Sequence, residues 1–240
     1  TALIPVFPGT NCEYDTARAL EKAGADTQIL VLRNKTQNDV IESIEELAKL
    51  ITKSQIIVLP GGFSGGDEPD GSGKFITAFF RNPKISLRVH EFLDQKDGLI
   101  CGICNGFQAL IKLGLVPFGK IIEVDAQSPT LTYNQLGKHQ SRLVHTRIAS
   151  NKSPWLMGLQ IGEIHTLPIS HGEGRFVADE ALIADLIANG QIATQYVDLS
   201  GNPTMDVQYN PSGSLYAIEG LTSPDGRVLG KMAHTERYGS

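Results

Sequence analysis

The sequence has few cysteines, no cluster of basic residues and no long apolar run, and each shortage closes off a class of function. No run of Lys and Arg breaks a chain whose net charge is −5 at pH 7 and whose pI is near 5.7. That argues against nucleic acid or an anionic membrane as the main partner. No apolar stretch approaches the roughly 20 residues of a membrane span. No signal peptide precedes the first expected strand. Three cysteines (Cys12, Cys101 and Cys104) form no zinc-type Cys/His pattern, so no metal site is expected. Cys101 and Cys104 have the CxxC spacing of redox motifs, but Cys101 falls inside an apolar strand. A reducing, cytoplasmic setting is the default. A Walker loop is missing, the nearest segment being Gly73-Lys74-Phe75, and so is a dinucleotide fingerprint. The 240 residues, 41% hydrophobic and 20% charged, suit one α/β domain with a full core, or at most two small ones.

Strand and helix patterns alternate along the first half. Residues 2–7, 27–32 and 56–60 read as strands, and 13–23 as a helix capped by Thr10 or Asn11. Val40, Ile41, Ile44, Leu47, Ala48 and Ile51 mark an amphipathic helix. This alternation predicts an open, mostly parallel sheet flanked by helices. Short helices are predicted over 74–80 and 83–93. Beyond residue 116 the pattern changes: strands are predicted at 120–124 and 142–148, with a polar stretch between them, 125–140, that fits no element. Asp179 caps a helix ending at Asn189-Gly190. Strands over 191–197, 205–209, 214–221 and 227–232 then add an antiparallel β element at the C-terminal end. The single tryptophan, Trp155, reads as a packing residue, and so does Cys12.

The chemistry concentrates where Leu99–Ile103, an apolar run, meets a helical pattern at Gly102-Ile103-Cys104-Asn105-Gly106. Gly-x-Cys-x-Gly between strand and helix is the thiol form of the nucleophile elbow. Small neighbours fit the sharp turn, the helix N-terminus favours thiolate, and the Asn105 N–H is placed to donate to an oxyanion. A cysteine between glycines can equally be a small residue in a tight turn. Gly61 and Gly62 follow a strand end, where open α/β sheets bind ligands, and let a backbone N–H approach the same oxyanion from the other side. The loop 67–73 reads as a surface loop without chemistry, with a partner contact as the alternative. Ser170-His171-Gly172-Glu173-Gly174-Arg175 reads as a site-lining loop. Near the end, His234 and Glu236 would share one side of an extended segment, a base with its orienting carboxylate.

Pro60-Gly61-Gly62-Phe63, Gly102-Ile103-Cys104-Asn105-Gly106-Phe107-Gln108 and His234-Thr235-Glu236, in that order and spacing, resemble the class I (triad) glutamine amidotransferases. More narrowly, Pro8-Gly9-Thr10-Asn11-Cys12, Gly62-Phe63-Ser64 and the Ser170–Arg175 segment resemble the glutaminase part of phosphoribosylformylglycinamidine synthases. The resemblance covers nearly the whole chain. It implies a flavodoxin-like amidotransferase fold in which Cys104 attacks glutamine, His234 acts as base and acid, and Glu236 orients it. It also implies an oxyanion hole at Gly62 and Asn105, and a glutamine pocket lined by Phe63, Gln108, Ser170, His171 and Gly172. Ammonia would pass to a synthetase domain or subunit that converts formylglycinamide ribonucleotide to the amidine. That partner would hold ATP and magnesium, and this domain no cofactor. The 65–74 loop is similar to versions fused to the synthetase. With Thr1 at the start, this gives the expectation that residues 1–240 are one glutaminase domain, the C-terminal part of a longer polypeptide. Many relatives carry Pro-x-His-Pro-Glu where this chain has Met232-Ala233-His234-Thr235-Glu236. Three other readings stay open: a glutaminase serving another synthetase, a non-catalytic binding module on the same fold, and a cysteine peptidase on a related fold.

Overall fold

The computed structural model describes residues 1–63 and 73–237. The first half alternates as its periodicity predicts: β1 (Ala2–Val6), α1 (Glu13–Lys22), β2 (Thr27–Val31), α2 (Gln37–Ile51) and β3 (Ile56–Leu59). Then come α3 (Lys74–Phe80), α4 (Pro83–Lys96), β4 (Leu99–Ile103), α5 (Asn105–Leu113) and the short turn α6 (Leu115–Phe118). The second half is mostly strand: β5 (Thr130–Tyr133), β6 (Gln140–Ile148), β7 (Ile164–His171) and β8 (Glu173–Val177). It ends with α7 (Glu180–Ala188), β9 (Ile192–Tyr196), β10 (Ile218–Thr222) and β11 (Val228–Lys231).

One nine-stranded sheet runs in the order β2-β1-β3-β4-β11-β10-β9-β6-β7, and β5 pairs with β8 apart from it. The strands from β2 to β11 are parallel. From β11 outward every pairing is antiparallel. The open parallel sheet with an antiparallel addition is therefore present, the addition drawing on β6, β7 and β9 as well as the final hairpin. Continuous apolar strands such as β1 suit the parallel half because helices bury both of its faces. Helix α5 packs on β3, β4 and β11. Local signals set the helix ends: a capping box between Thr36 and Asp39 opens α2, and Asn82 with Pro83 opens α4. The main core runs through both halves, taking in Ile148, Ile192, Ala193, Ile218 and Leu221 of the antiparallel strands. Val144, Leu167, Ile169, Tyr196, Ala217 and Ala233 form a second, smaller one in the antiparallel half.

Four local expectations are corrected. Residues 120–124 are not a strand: the Ile121 and Ile122 N–H groups donate to His90 and to the Leu113 carbonyl, which leaves no strand to pair with. Residues 205–209 form a turn, because the Asp206 carboxylate accepts from the Gln208 N–H and its carbonyl from Tyr209 and Asn210. Of 214–221, only the part from Ile218 is strand; Leu215–Ala217 is a 3-10 turn. Helix α1 begins at Cys12 with no side-chain cap, since the Thr10 hydroxyl accepts instead from the Phe7 N–H.

Candidate active site

The site forms at the carboxyl ends of β3, β4 and β11, with the end of β7 closing one side. At the β4–α5 junction Cys104 has φ 52° and ψ −106°, a strained setting for a residue with a side chain. Sterics account for its glycine neighbours. A Cβ on Gly106 would lie 2.1 Å from the Leu59 carbonyl oxygen, and one on Gly102 2.6 Å from Leu110 and 2.7 Å from Gly106. The Cys104 N–H donates to the Lys231 carbonyl (2.8 Å), tying the elbow to the neighbouring β11. Its thiol donates to the Ser170 carbonyl at 3.7 Å. The thiol side chain is buried, 4% exposed.

Chain beyond β11 brings in His234 and Glu236. Their pairing is as expected, but the path is not: Thr235–Arg237 is a 3-10 turn, not an extended segment. The tight turn folds the carboxylate back, and His234 Nδ1 lies 2.5 Å from Glu236 Oε1. Both side chains are buried. The His234 N–H donates to the Pro168 carbonyl (2.9 Å), so β7 anchors the histidine backbone as well as meeting the thiol. Gly61 packs directly on the imidazole, where a Cβ would sit 2.7 Å from His234 Cε1. Gly62, at φ 147°, faces Thr10 in a two-residue bridge. That bridge uses the Asn11 and Phe63 N–H groups, and not the Gly62 N–H.

The remaining candidates divide by position. Asn105 Nδ2 donates to Gln108 Oε1 (3.0 Å), and Gln108 Nε2 to the Glu173 carbonyl (2.6 Å), so the Gln108 amide is engaged at both ends in holding the loop. Ser170 Oγ pairs with His139 Nε2 at 2.9 Å. Phe63 stands at the rim, 40% exposed, its ring 6.2 Å from that of His139. The Gly172 carbonyl accepts from the Asn134 N–H (2.9 Å). His171 is buried, with Nδ1 3.1 Å from Asn134 Oδ1. Burial, with His139 and His234 nearby, pulls its pKa down to about 3, so its ring is neutral at pH 7. Ser64 and the loop 67–72 lie outside the described residues.

Sequence reasoning missed Asn134. Its amide donates to the His171 and Lys138 carbonyls, and its oxygen accepts from the Gly174 N–H, which locks the glycine-rich loop. Nothing in the polar stretch around it signalled that role. Cys12, read as packing, is buried at the start of α1 with its sulfur 4.0 Å from His234 Nδ1. Burial raises its thiol to about 11 and the deeply buried Cys101 thiol to about 12, and all three cysteines are free. Cys12, His234 and Glu236 each bring one ligand atom within 4.8 Å of the others, close enough to share a metal ion.

A strained thiol at a helix N-terminus, with a histidine–carboxylate pair on the chain beyond the neighbouring strand, is the set of groups that acyl transfer through a thioester uses. Comparison with known proteins points the same way. At 37% identity over 95% of this chain and 79% of its own length, a phosphoribosylformylglycinamidine synthase subunit PurQ from Methanococcus maripaludis is similar. The PurQ subunit of Aquifex aeolicus is 33% identical over 97% of this chain and 88% of its own. Among solved structures, PurLQS from Thermotoga maritima matches with a TM-score of 0.69 and 28% identity, covering 98% of this chain and 87% of the matched chain. The family model for CobB/CobQ-like glutamine amidotransferase domains matches residues 1–240, and the chain belongs to that family.

Proposed function

We propose that this chain hydrolyses L-glutamine to glutamate and ammonia and delivers the ammonia to a synthetase that makes formylglycinamidine ribonucleotide from formylglycinamide ribonucleotide in purine biosynthesis. The observation that carries the reading is that the strained Cys104 elbow and the 2.5 Å His234–Glu236 pair follow the carboxyl ends of the adjacent parallel strands β4 and β11, in a chain whose relatives are named PurQ.

Cys104 Sγ attacks the carboxamide carbon. With Nδ1 committed to Glu236, the proton from the thiol goes to His234 Nε2. The negative charge on the former carbonyl oxygen is met by the Gly62 and Asn105 N–H groups. Collapse breaks the C–N bond, His234 returns the proton to the leaving ammonia, and a thioester remains. Water, deprotonated by His234, then releases glutamate and the thiol. Phe63, Gln108, Ser170, His171 and Gly172 shape the glutamine pocket, Gln108 and His171 acting through the loop they hold. The domain uses no cofactor of its own, ATP and magnesium serving the synthetase, and it works in the cytoplasm. No helix among the described residues is long and apolar enough to cross a membrane.

The test is ammonia release from glutamine, alone and with a PurL-type synthetase, formylglycinamide ribonucleotide and ATP, with Cys104→Ala as control. Release that requires Cys104 and rises with the synthetase and its ribonucleotide is the expected result. Full release by Cys104→Ala would remove the thiol from the mechanism. Stimulation only by a different acceptor would reassign the pathway.

A further inference from the structure

A cavity of about 330 Å³ lies on the face of the sheet opposite α5, between α1 and the strands β6, β7 and β9. Cys104 does not line it. Most of its wall is apolar, including Leu20, Ile148, Trp155, Leu156 and Leu159. Two charged residues on its wall, Lys231 and Glu236, each have a charged atom with no hydrogen-bond partner among the described residues.

The first is Lys231. In β11, Leu229 and Lys231 pair in register with Cys101 and Ile103, and all four line the cavity. The intervening Gly230 faces the other way, onto Phe107. The pleat therefore sends the Lys231 side chain into the cavity. The residue is only 6% exposed, and among the described residues it has no hydrogen-bond or ion-pair partner. An ammonium on a mostly apolar cavity wall with no ion-pair partner is a group that a bound anion would pair with. The second is Glu236, which also lines the cavity. Its Oε1 is held by His234, while Oε2 is buried with no hydrogen-bond partner among the described residues. A simple anion would satisfy Lys231 but meet the Glu236 carboxylate. A simple cation would meet Lys231. A molecule carrying both charges on an apolar body satisfies each group.

We propose that this cavity binds the zwitterion of an apolar α-amino acid. Its carboxylate pairs with the Lys231 ammonium, its ammonium faces the Glu236 carboxylate, and its side chain packs among Leu20, Ile148, Trp155, Leu156 and Leu159. The site is separate from the glutamine pocket and rests on the unsatisfied atoms, not on the roles proposed for the triad.

Trp155 is the only tryptophan in the chain and lines the cavity, so its emission reports occupancy directly. L-leucine titrated into the protein should change that emission saturably. 4-Methylpentanoate, which lacks the ammonium, and isoamylamine, which lacks the carboxylate, should each bind at least about tenfold more weakly, the loss of one charge-assisted hydrogen bond. Lys231→Met should weaken L-leucine by a similar factor. It should also melt no lower than the parent, since an apolar isostere replaces an unpaired charge, which separates lost binding from lost folding. Unchanged emission with L-leucine, equal affinity in Lys231→Met, or 4-methylpentanoate binding as tightly as L-leucine would each overturn the proposal. The readout needs no ammonia release, so it stands or falls apart from the glutaminase reading.

Discussion

At His234 the mechanism proposed above uses the 2.5 Å contact of Nδ1 with Glu236 to hold the ring, which leaves Nε2 to act as the base. A neutral amide at 236 could keep a hydrogen bond but could not oppose the imidazolium formed during attack. Glu236→Gln should therefore lower kcat by about 10³–10⁴-fold with the circular dichroism spectrum unchanged. A loss under about tenfold would deny Glu236 that role. His171 makes a different prediction. Its folded pKa of about 3 lies far below the roughly 6.5 of an unfolded histidine. Between those values the unfolded chain takes up a proton that the folded chain refuses. Its contribution is complete above about pH 6.5 and is lost as pH falls, at up to about 1.4 kcal/mol per pH unit. Urea denaturation of His171→Gln should show a shallower loss of stability between about pH 6 and pH 4.5 than the parent. Equal slopes would mean that His171 is not held neutral. The His-x-Glu pair was legible in the sequence because both residues sit in one short segment. The 3-10 turn that joins them was not, since spacing alone fits a strand as well.

Among the elements, the β4–α5 elbow was the most legible, because an apolar strand, two glycines and a helical period lie side by side in the chain. Its sterics make it brittle: Gly106→Ala would place a methyl 2.1 Å from the Leu59 carbonyl oxygen, a clash with backbone that cannot swing away. The loop at the end of β7 was legible only as a motif. What holds it is Asn134 at the end of β5, whose partners lie 37 and 40 residues further on, and no local pattern reports such a contact. Asn134→Ala would leave the His171 carbonyl and the Gly174 N–H unpaired, at about 1–3 kcal/mol for each buried group. Because the same loop presents the Ser170 carbonyl to the thiol, steady-state kinetics should show KM for glutamine rising about tenfold or more while kcat falls less. A fall in kcat alone would make Asn134 a support for the thiol and not for the pocket.

Across the whole molecule the sheet has a parallel and an antiparallel half, joined by one main core that runs through both, with a smaller core in the antiparallel half alone, and the site spans the seam. Alternation in the sequence was enough to read the parallel strands β1 to β4, since each βαβ step there is local. The order β11-β10-β9-β6-β7 was not readable, because β9 and β6 pair across distant parts of the chain. The seam has an energetic consequence. Cys104 belongs to the parallel half, while the carbonyls of Pro168 and Ser170, which hold the His234 backbone and the thiol, belong to the antiparallel half. If the smaller core sets the stability of the outer strands, these should open separately from the parallel half. Val144, 3% exposed in the smaller core, is the place to test this. Val144→Ala should cost about 1–3 kcal/mol. Amide hydrogen exchange should quicken through β6, β7 and the His234 N–H, and stay unchanged in β1 and β3. Glutamine turnover should fall with it, although Val144 touches no reacting group, because the backbone that positions both histidine and thiol would be open more of the time. Faster exchange spread evenly over both halves would mean that the sheet opens as one unit, and that the site draws its rigidity from the whole fold.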